Sequence, residues 1–184
     1  MTGSGKTTLA RTLLLSRPFV VVYDAKGLLA WPGFQRFTVL QQLAESRHSK
    51  LIYAPNHREL QDEATKEKFF EWVYNRQNTT LYVDEVYAVT SRGYIPHYYH
   101  ACLTRGREMG ISVFSSTQRP MLIPQVILSE SEHYYVFRLQ LPQDKKRIRE
   151  IVNLESSQIE NLPKYLFYYG SSDGEIVGPL KLRI

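Results

Sequence analysis

Hydrophobic and polar positions follow two patterns along the chain, which predict strands and helices in turn. Short continuous apolar runs, such as VVVYD at 20–24 and LYVD at 81–84, are typical of strands buried on both faces of a sheet. Longer stretches with apolar residues three or four positions apart predict amphipathic helices. The predicted strands are 18–27, 35–40, 50–55, 79–89, 111–118 and 133–140, and the predicted helices are 5–17, 41–48, 58–77, 96–110 and 144–153.

Strands that alternate with helices predict an α/β fold, in which a mainly parallel sheet is covered by helices on both faces. The last pattern, at 164–182, predicts a C-terminal β-hairpin that turns between Ser171 and Gly174. No repeat, low-complexity tract or linker divides the 184 residues, so we expect a single domain over 1–184. Ligands of such sheets bind at the carboxyl ends of the strands, where the informative residues lie here.

Composition narrows the class of protein. The chain has 23 Lys and Arg against 18 Asp and Glu, and the net charge of +5 suits a polyanionic partner such as nucleic acid. Its single cysteine, Cys102, cannot form an internal disulfide and fits a reducing compartment. No apolar run approaches the ~20 residues that span a bilayer. We therefore expect a soluble cytoplasmic protein without a membrane span, which would mean the host cytoplasm, or association with a virion, only if the motifs below indicate a viral protein.

The first residues, TGSGKTT at 2–8, match the end of the phosphate-binding pattern G-x-x-x-x-G-K-[ST]. Gly3 and Gly5 let backbone N–H groups turn towards phosphates, and the helix N-terminus that follows favours an anion. Lys6 is expected to reach the β- and γ-phosphates, and Thr7 to ligate Mg²⁺. The alternative is a chance turn rich in Gly and Ser. The predicted nucleotide-binding residues are Gly3, Ser4, Gly5, Lys6, Thr7 and Thr8.

The first glycine of that pattern would precede Met1. A buried strand near the middle of the sheet normally leads into a loop of this kind. Its absence would leave an apolar slot and unpaired backbone groups. We therefore expect an N-terminally truncated domain that lacks its first strand, either as a fragment or because the start was assigned to an internal Met.

Two adjacent carboxylates, Asp84 and Glu85, end the strand LYVD. Asp84 is placed to hold Mg²⁺ directly or through water. Glu85 is the candidate to orient and polarise an attacking water. A strand that ends in solvated acids is the alternative, but the phosphate-binding pattern favours function. The pair also favours hydrolysis over phosphate transfer to a small substrate.

Polar and basic residues near the next predicted strand complete the candidate site. Gln118 ends ISVFSSTQ and would project towards the γ-phosphate if this strand lies beside the acidic one. Arg105 and Arg107 flank Gly106 near a helix end, where solvated arginines would also suit the carbonyl groups. In the functional interpretation, one or both enter the site of a neighbouring subunit and stabilise charge on the transferred phosphoryl group.

The order GSGKTT, hydrophobic-DE, TRGRE-x-GI, STQRP and ESEHYYVFRL resembles the FtsK–HerA superfamily of ring-forming DNA-translocating ATPases, over residues 1–152. The compact size is similar to that of virus and phage DNA-packaging ATPases. The resemblance implies a RecA-like P-loop core, a hexameric or pentameric ring, hydrolysis of ATP with Mg²⁺ at subunit interfaces, and double-stranded DNA in the centre. A viral capsid or portal component would be a further partner. The roles implied by matching are phosphate binding for Lys6 and Thr7, the acidic pair for Asp84 and Glu85, the polar sensor for Gln118, and the trans-acting finger for Arg105 or Arg107.

The segment SRGYIPHYYH at 91–100 is the candidate DNA contact, because segments that follow the acidic strand face the pore in this family. Arg92 would contact a phosphate, while Tyr94 and His97 would pack on sugar or base. An ordinary exposed loop is an equal alternative.

Three functions compete. The leading one is an ATP-driven DNA motor for genome packaging or DNA transfer of a virus or mobile element. A nucleotide-dependent morphogenesis or assembly factor without DNA translocation is the second. The third is a nucleotide kinase, against which the Asp-Glu pair and STQRP argue.

Overall fold

The computed structural model describes residues 4–183. The strands are β1 (Val20–Asp24), β2 (Gln35–Phe37), β3 (Lys50–Tyr53), β4 (Thr80–Asp84), β5 (Ser112–Ser115), β6 (His133–Val136), β7 (Leu166–Ser171) and β8 (Ile176–Lys181). The helices are α1 (Lys6–Leu15), α2 (Leu40–Glu45), α3 (His57–Gln61), α4 (Glu63–Arg76), α5 (His97–Arg105), α6 (Gln125–Ser129), α7 (Pro142–Val152) and α8 (Ser156–Glu160). Short 3₁₀ segments lie at Val86–Ala88, Gly106–Met109 and Pro120–Leu122.

The main sheet has five parallel strands in the order β2-β3-β1-β4-β5, which confirms the predicted α/β class. β1 and β4 pair in register, so that Asp24 lies opposite Asp84. β5 pairs with the other side of β4, with Ser115 opposite Val83. Because all five strands run the same way, their carboxyl ends meet at one edge of the sheet, and this edge carries the candidate site.

Both faces of the main sheet are packed. On one face, α4 and α5 cover a group of stacked aromatic rings that includes Tyr23, Phe70 and Tyr99, with 4.7 Å between the ring centroids of Phe70 and Tyr99. On the other face, Ala10 and Leu14 of α1 pack against strand residues. Helix α1 is therefore fixed against the sheet directly after the phosphate-binding loop.

The C-terminal part forms a second, antiparallel sheet in the order β6-β7-β8. The predicted hairpin is confirmed, because β7 and β8 pair around a turn in which the N–H of Gly174 donates to the carbonyl of Ser171 over 3.1 Å. The strand predicted at 133–140 becomes β6, which joins this hairpin rather than the main sheet.

One predicted helix is two helices in the structure. The pattern at 58–77 divides into α3 and α4, and Asp62 lies between them. The Asp62 carboxylate accepts a hydrogen bond from the N–H of Thr65 over 3.1 Å and so caps α4. Aspartate favours this position over a helix interior because its short side chain satisfies a free N–H of the first turn.

A groove of about 1060 Å³ runs between the two sheets along β5 and β6. Within residues 4–183, β5 pairs only with β4 and β6 only with β7, so each is an edge strand. Val113 and Phe114 line one wall of the groove, and Tyr135 and Phe137 line the other. Polar residues, among them Lys6 and Ser115, line the groove as well. The expected absence of a first strand stays a prediction.

Candidate active site

The phosphate-binding loop is described from Ser4 onwards, and Gly3 lies outside the described residues. Gly5 has a φ of 106° and directly precedes α1. A Cβ atom at Gly5 would come within 3.1 Å of ring atoms of Phe137 and Tyr165. The carbonyl of Ser4 also accepts a hydrogen bond from the N–H of Tyr165 over 3.2 Å. The loop is therefore held between α1 and the segments that border the second sheet.

Gly5→Ala is expected to destabilise the protein by about 1–2 kcal/mol, because a residue with a side chain disfavours the left-handed conformation. The close contacts of the added Cβ with Phe137 and Tyr165 would increase this loss. Gly33→Ala is the matched control, because Gly33 has a φ of 79° and open space where a Cβ would lie. Chemical denaturation measures both variants. A loss no larger for Gly5→Ala than for Gly33→Ala would contradict the packing described for the loop.

Lys6 is the first residue of α1 and lies in the same cleft as the acidic pair. Its ammonium donates to Oγ of Ser4 over 3.3 Å. Burial lowers the pKa of Lys6, the carboxylate of Glu85 raises it, the ammonium of Lys26 lowers it, and the carboxylate of Asp84 raises it. Lys6 therefore lies near enough to Glu85 and Asp84 for their charges to act on it, and its partial burial suits the binding of a phosphate.

Asp84 ends β4 and is buried within a small hydroxyl network. Its Oδ1 accepts hydrogen bonds from the Tyr82 hydroxyl at 2.8 Å and the Ser116 hydroxyl at 2.9 Å. Burial, followed by the charge of Asp84, raises the pKa of Tyr82, so the phenol remains a donor. The two hydroxyls fix the orientation of the carboxylate at the edge of the sheet.

Glu85 follows Asp84 and has an unusual backbone and a buried side chain. Its φ of 57° lies in the left-handed region, which costs a residue other than glycine about 1–3 kcal/mol. Its side chain is only 3% exposed, and Oε2 lies 3.4 Å from the ammonium of Lys26. Among the described residues, Oε2 has no hydrogen-bond donor in suitable geometry. Strain and burial combined in one carboxylate are typical of a functional group.

The oxygen donors predicted for Mg²⁺ fit that ion in chemical type. The Thr7 hydroxyl belongs to the first turn of α1, and the Asp84 carboxylate ends β4. Mg²⁺ prefers hard oxygen ligands and usually combines one or two protein oxygens with waters and substrate phosphates. Thr8 is half-buried in the same turn of α1. Thr7 and Thr8 therefore stand where the sequence analysis places them, at the N-terminus of the helix.

Ser116, in the segment that leaves β5, contacts both members of the acidic pair. The Ser116 hydroxyl donates to Asp84 and accepts from the N–H of Glu85 over 3.3 Å. The backbone carbonyl of Ser116 accepts from the N–H of Val86. Gln118 is half-buried two residues further on, in the segment that leaves β5. The register of β5 against β4 decides which of the polar residues lies next to Asp84, and the sequence does not contain that register.

The segment that carries Gln118 is anchored by Asp144 of α7. The buried Asp144 carboxylate accepts from Nε of Arg119 over 3.0 Å and from the N–H of Met121 over 2.9 Å. Lys145 is buried as well and pairs with Glu160. Charged residues dominate the sequence of the helix predicted at 144–153, and such residues are usually exposed, but these two are buried. Their partners come from other elements, which explains why periodicity did not reveal them.

Asp144→Asn is expected to cost about 1.5–3 kcal/mol of stability, because a hydrogen bond to a charged group is lost beside a buried site. Glu150→Gln on the same helix is the control, since Glu150 is exposed and makes one ion pair at 3.8 Å. Urea denaturation of the two variants measures the difference. Equal stability of both would show that Asp144 does not anchor the Gln118 segment.

Arg105 and Arg107 lie at the other edge of the sheet from Lys6. They end α5 and begin the 3₁₀ segment that leads into β5, whose first residue, Ser112, pairs with Thr80 at the amino end of β4. The side chain of Arg107 is 94% exposed, and its guanidinium lies 3.6 Å from the exposed Glu132. Arg107 lines the same groove between the sheets as Lys6, but within residues 4–183 neither arginine contacts Lys6, Asp84 or Glu85.

The candidate DNA segment is a short turn braced by α4. Arg92 is exposed in a turn closed by two backbone hydrogen bonds between Ser91 and Tyr94. Burial, followed by a hydrogen bond to Glu63, raises the pKa of Tyr94 to about 12. The carboxylate of Glu67 accepts from the N–H groups of His97 and Tyr98, both over 2.9 Å. Glu67 thus caps α5, although a carboxylate on an amphipathic helix is usually a solvated surface charge.

No helix within residues 4–183 has the length and apolar character needed to cross a bilayer. Over the same residues, no group of three or more His, Cys, Asp and Glu side chains is arranged to hold a metal.

Comparisons with known proteins give a weak likeness in sequence and a strong one in fold. No protein-family model matches the chain. The DNA packaging ATPase P9 of Enterobacteria phage PRD1 is 28% identical over 83 residues, which are 45% of this chain and 35% of the phage protein. The chain therefore spans little more than a third of that relative.

Solved structures of viral NTPases match almost the whole chain. The genome packaging NTPase B204 from Sulfolobus turreted icosahedral virus 2, in complex with AMP, has a TM-score of 0.79 at 16% identity and covers 97% of this chain and 94% of its own. The same protein with ATP-gammaS has a TM-score of 0.77 at 17% identity, with 97% and 93% covered. The bacterial conjugative coupling protein TrwBdeltaN70 has a TM-score of 0.50 at 13% identity, with 76% and 42% covered. The chain therefore has the P-loop NTPase fold of these viral genome-packaging NTPases, as its resemblance to the FtsK–HerA superfamily predicted.

Proposed function

We propose that the chain is an ATP-hydrolysing subunit of a ring that moves double-stranded DNA, in the packaging of a viral genome. The observation that carries this proposal is that Lys6 follows the phosphate-binding loop and interacts electrostatically with Asp84 and Glu85 at the carboxyl end of β4. A structural likeness to packaging NTPases and a partial sequence likeness to a packaging ATPase support the choice of process.

In the proposed reaction, the backbone of the loop and the N-terminus of α1 bind the phosphates, and Lys6 neutralises charge on the β- and γ-phosphates. Mg²⁺, when bound, would neutralise further charge, with Thr7 and Asp84 as its protein ligands. Glu85 orients a water for attack on the γ-phosphorus and accepts its proton. Burial of Glu85 keeps other water away from the carboxylate, so that its orientation is set by the protein.

DNA would contact the turn at 91–94, with Arg92 on a phosphate. Tyr94 and His97 stay candidate contacts to sugar or base, but Glu63 and Glu67 lie beside them, and their negative charge opposes a close approach by phosphate. Arg92 is therefore the strongest of the three candidates.

Stimulation of ATPase activity by DNA tests the proposed function. We expect double-stranded DNA to raise kcat of the wild-type protein, and Arg92→Ala to reduce this stimulation without changing basal turnover. Stimulation by a nucleoside would indicate a kinase instead. Nucleotide binding with no turnover would indicate an assembly factor, and either result would overturn the proposal.

Arg105 and Arg107 are proposed to act on the site of a neighbouring subunit, in a ring of five or six. An arginine supplied in this way contributes about 10³–10⁵-fold to the rate. Both side chains are exposed, and within residues 4–183 neither contacts the acidic pair of its own chain, which suits this role.

Mixing two inactive variants tests action between subunits. Lys6→Ala lacks a working site but keeps its arginines, whereas Arg105→Ala or Arg107→Ala keeps the site. We expect mixed rings to recover activity, because an intact arginine then faces an intact site. Recovery with only one of the two arginine variants identifies the finger. If neither mixture recovers although both variants are folded and enter mixed rings, the arginines do not act in trans.

A further inference from the structure

Lys26 occupies a position at the active-site edge that the sequence motifs do not assign. It follows β1 by two residues, and β1 pairs directly with the strand that ends in Asp84. The buried Asp24 carboxylate accepts hydrogen bonds from the N–H groups of Lys26 at 3.2 Å, Gly27 at 3.0 Å and Leu29 at 2.7 Å. These three bonds define the turn after β1 and hold the backbone of Lys26 beside the end of β4.

The side chain of Lys26 contacts the proposed catalytic carboxylate. Its ammonium lies 3.4 Å from Oε2 of Glu85, and the two side chains are 34% and 3% exposed. Among the described residues, Oε2 of Glu85 has no hydrogen-bond partner, so the ion pair with Lys26 is its recorded polar contact. Because an isolated buried carboxylate is costly, the cation that remains partly in water is the group that makes the buried position of Glu85 tolerable.

Lys6 is the other cation near Glu85, but it has a different task. Its charge interacts with those of Glu85, Asp84 and Lys26. A close pair between Lys6 and Glu85 would occupy the amine that the phosphates need and would turn the carboxylate away from the water. The ammonium of Lys26 opposes such a pair, since it attracts the carboxylate and repels the ammonium of Lys6.

We propose that Lys26 is a positioning residue for Glu85: it holds the carboxylate at the mouth of the cleft and keeps Lys6 available for the phosphates. This inference rests on the proposed function, in which Glu85 activates the attacking water. Lys26 itself contacts neither the reacting atoms nor the phosphates in this role. Its removal therefore affects the rate of the chemical step, not the binding of nucleotide.

Lys26→Met keeps the length of the side chain and removes its charge. We expect kcat for ATP to fall about 10–100-fold, the usual consequence of a misplaced catalytic group, with KM changed little. Lys26→Arg restores a cation and should retain most of the activity. Lys68→Met is the control, because Lys68 is exposed on α4, and it should behave as wild type. A rise in KM at constant kcat would mean that Lys26 binds phosphate, and would overturn the inference.

A thermal-unfolding cycle without nucleotide gives a second, independent test. Lys26→Met should lower the Tm, because Glu85 is then buried without its cation. In a Glu85→Gln background the same change should leave the Tm nearly unaltered, since no charge remains to be paired. Equal losses of Tm in both backgrounds would refute the pairing. If Glu85→Gln leaves turnover unchanged, the proposed function fails instead, whatever the Lys26 variants show.

Discussion

Glu85→Gln is expected to lower kcat for ATP by at least about 100-fold, which is the lower end of what a general base contributes. Glutamine has the shape of glutamate and fits the same buried pocket, but it cannot accept the proton of the attacking water. Nucleotide affinity should stay close to that of the wild type, because Lys6 and the loop backbone are intact. Single-turnover hydrolysis and the binding of a labelled ATP analogue measure the two effects separately.

Two comparisons make this result specific. Glu45→Gln changes an exposed carboxylate at the end of α2 and should not alter turnover. The Tm of Glu85→Gln should not fall below that of the wild type, because the variant no longer buries a charged carboxylate whose Oε2 lacks a hydrogen-bond partner. A variant that is folded, binds nucleotide and still hydrolyses ATP at a normal rate would exclude Glu85 as the base.

Lys6→Met should have two effects of opposite sign. It should lower kcat/KM by about 10²–10³-fold, the cost of losing one group that stabilises charge in the transition state. It should also raise the Tm of the nucleotide-free protein, because burial lowers the pKa of Lys6 and thus destabilises its charged form. The apolar methionine has a similar length and carries no such cost.

Thermal unfolding with and without ATP distinguishes these effects in one experiment. Ligand at 100 times its Kd stabilises a protein by about 2.7 kcal/mol. The wild type should therefore gain Tm on addition of ATP, whereas Lys6→Met should start higher and gain much less. Lys68→Met should follow the wild type in both conditions. An ATP-induced shift of wild-type size in Lys6→Met would show that Lys6 does not bind the phosphates.

Local sequence patterns were enough to predict the class of fold, and they also gave Lys6, Asp84 and Glu85 as candidates for its site. Continuous apolar runs predicted the buried strands, and the parallel arrangement followed from their alternation with helices. Lys6, Asp84 and Glu85 were predictable because each ends or begins an element that the pattern defines. Their convergence required only that parallel strands share one carboxyl edge.

The residues that support this centre were not predictable in the same way. Ser116, Lys26 and Asp144 act through partners that are distant in sequence or lie in loops. Strand register, the turn after β1 and the docking of α7 determine these contacts, and none of the three leaves a periodic signal. The division of the helix predicted at 58–77 could have been predicted, because aspartate is a preferred N-cap residue. Asp62 takes this position and accepts from the N–H three residues later.

The groove between β5 and β6 bears on how the protein associates at high concentration. Within the described residues, each of these strands offers one side of its backbone to the groove. Such edges can take up a strand from a second molecule, and contacts of this kind depend on main-chain hydrogen bonds rather than on particular side chains. Aggregates formed in this way would be insensitive to changes at Arg105 or Arg107, so their persistence in those variants would distinguish them from functional rings.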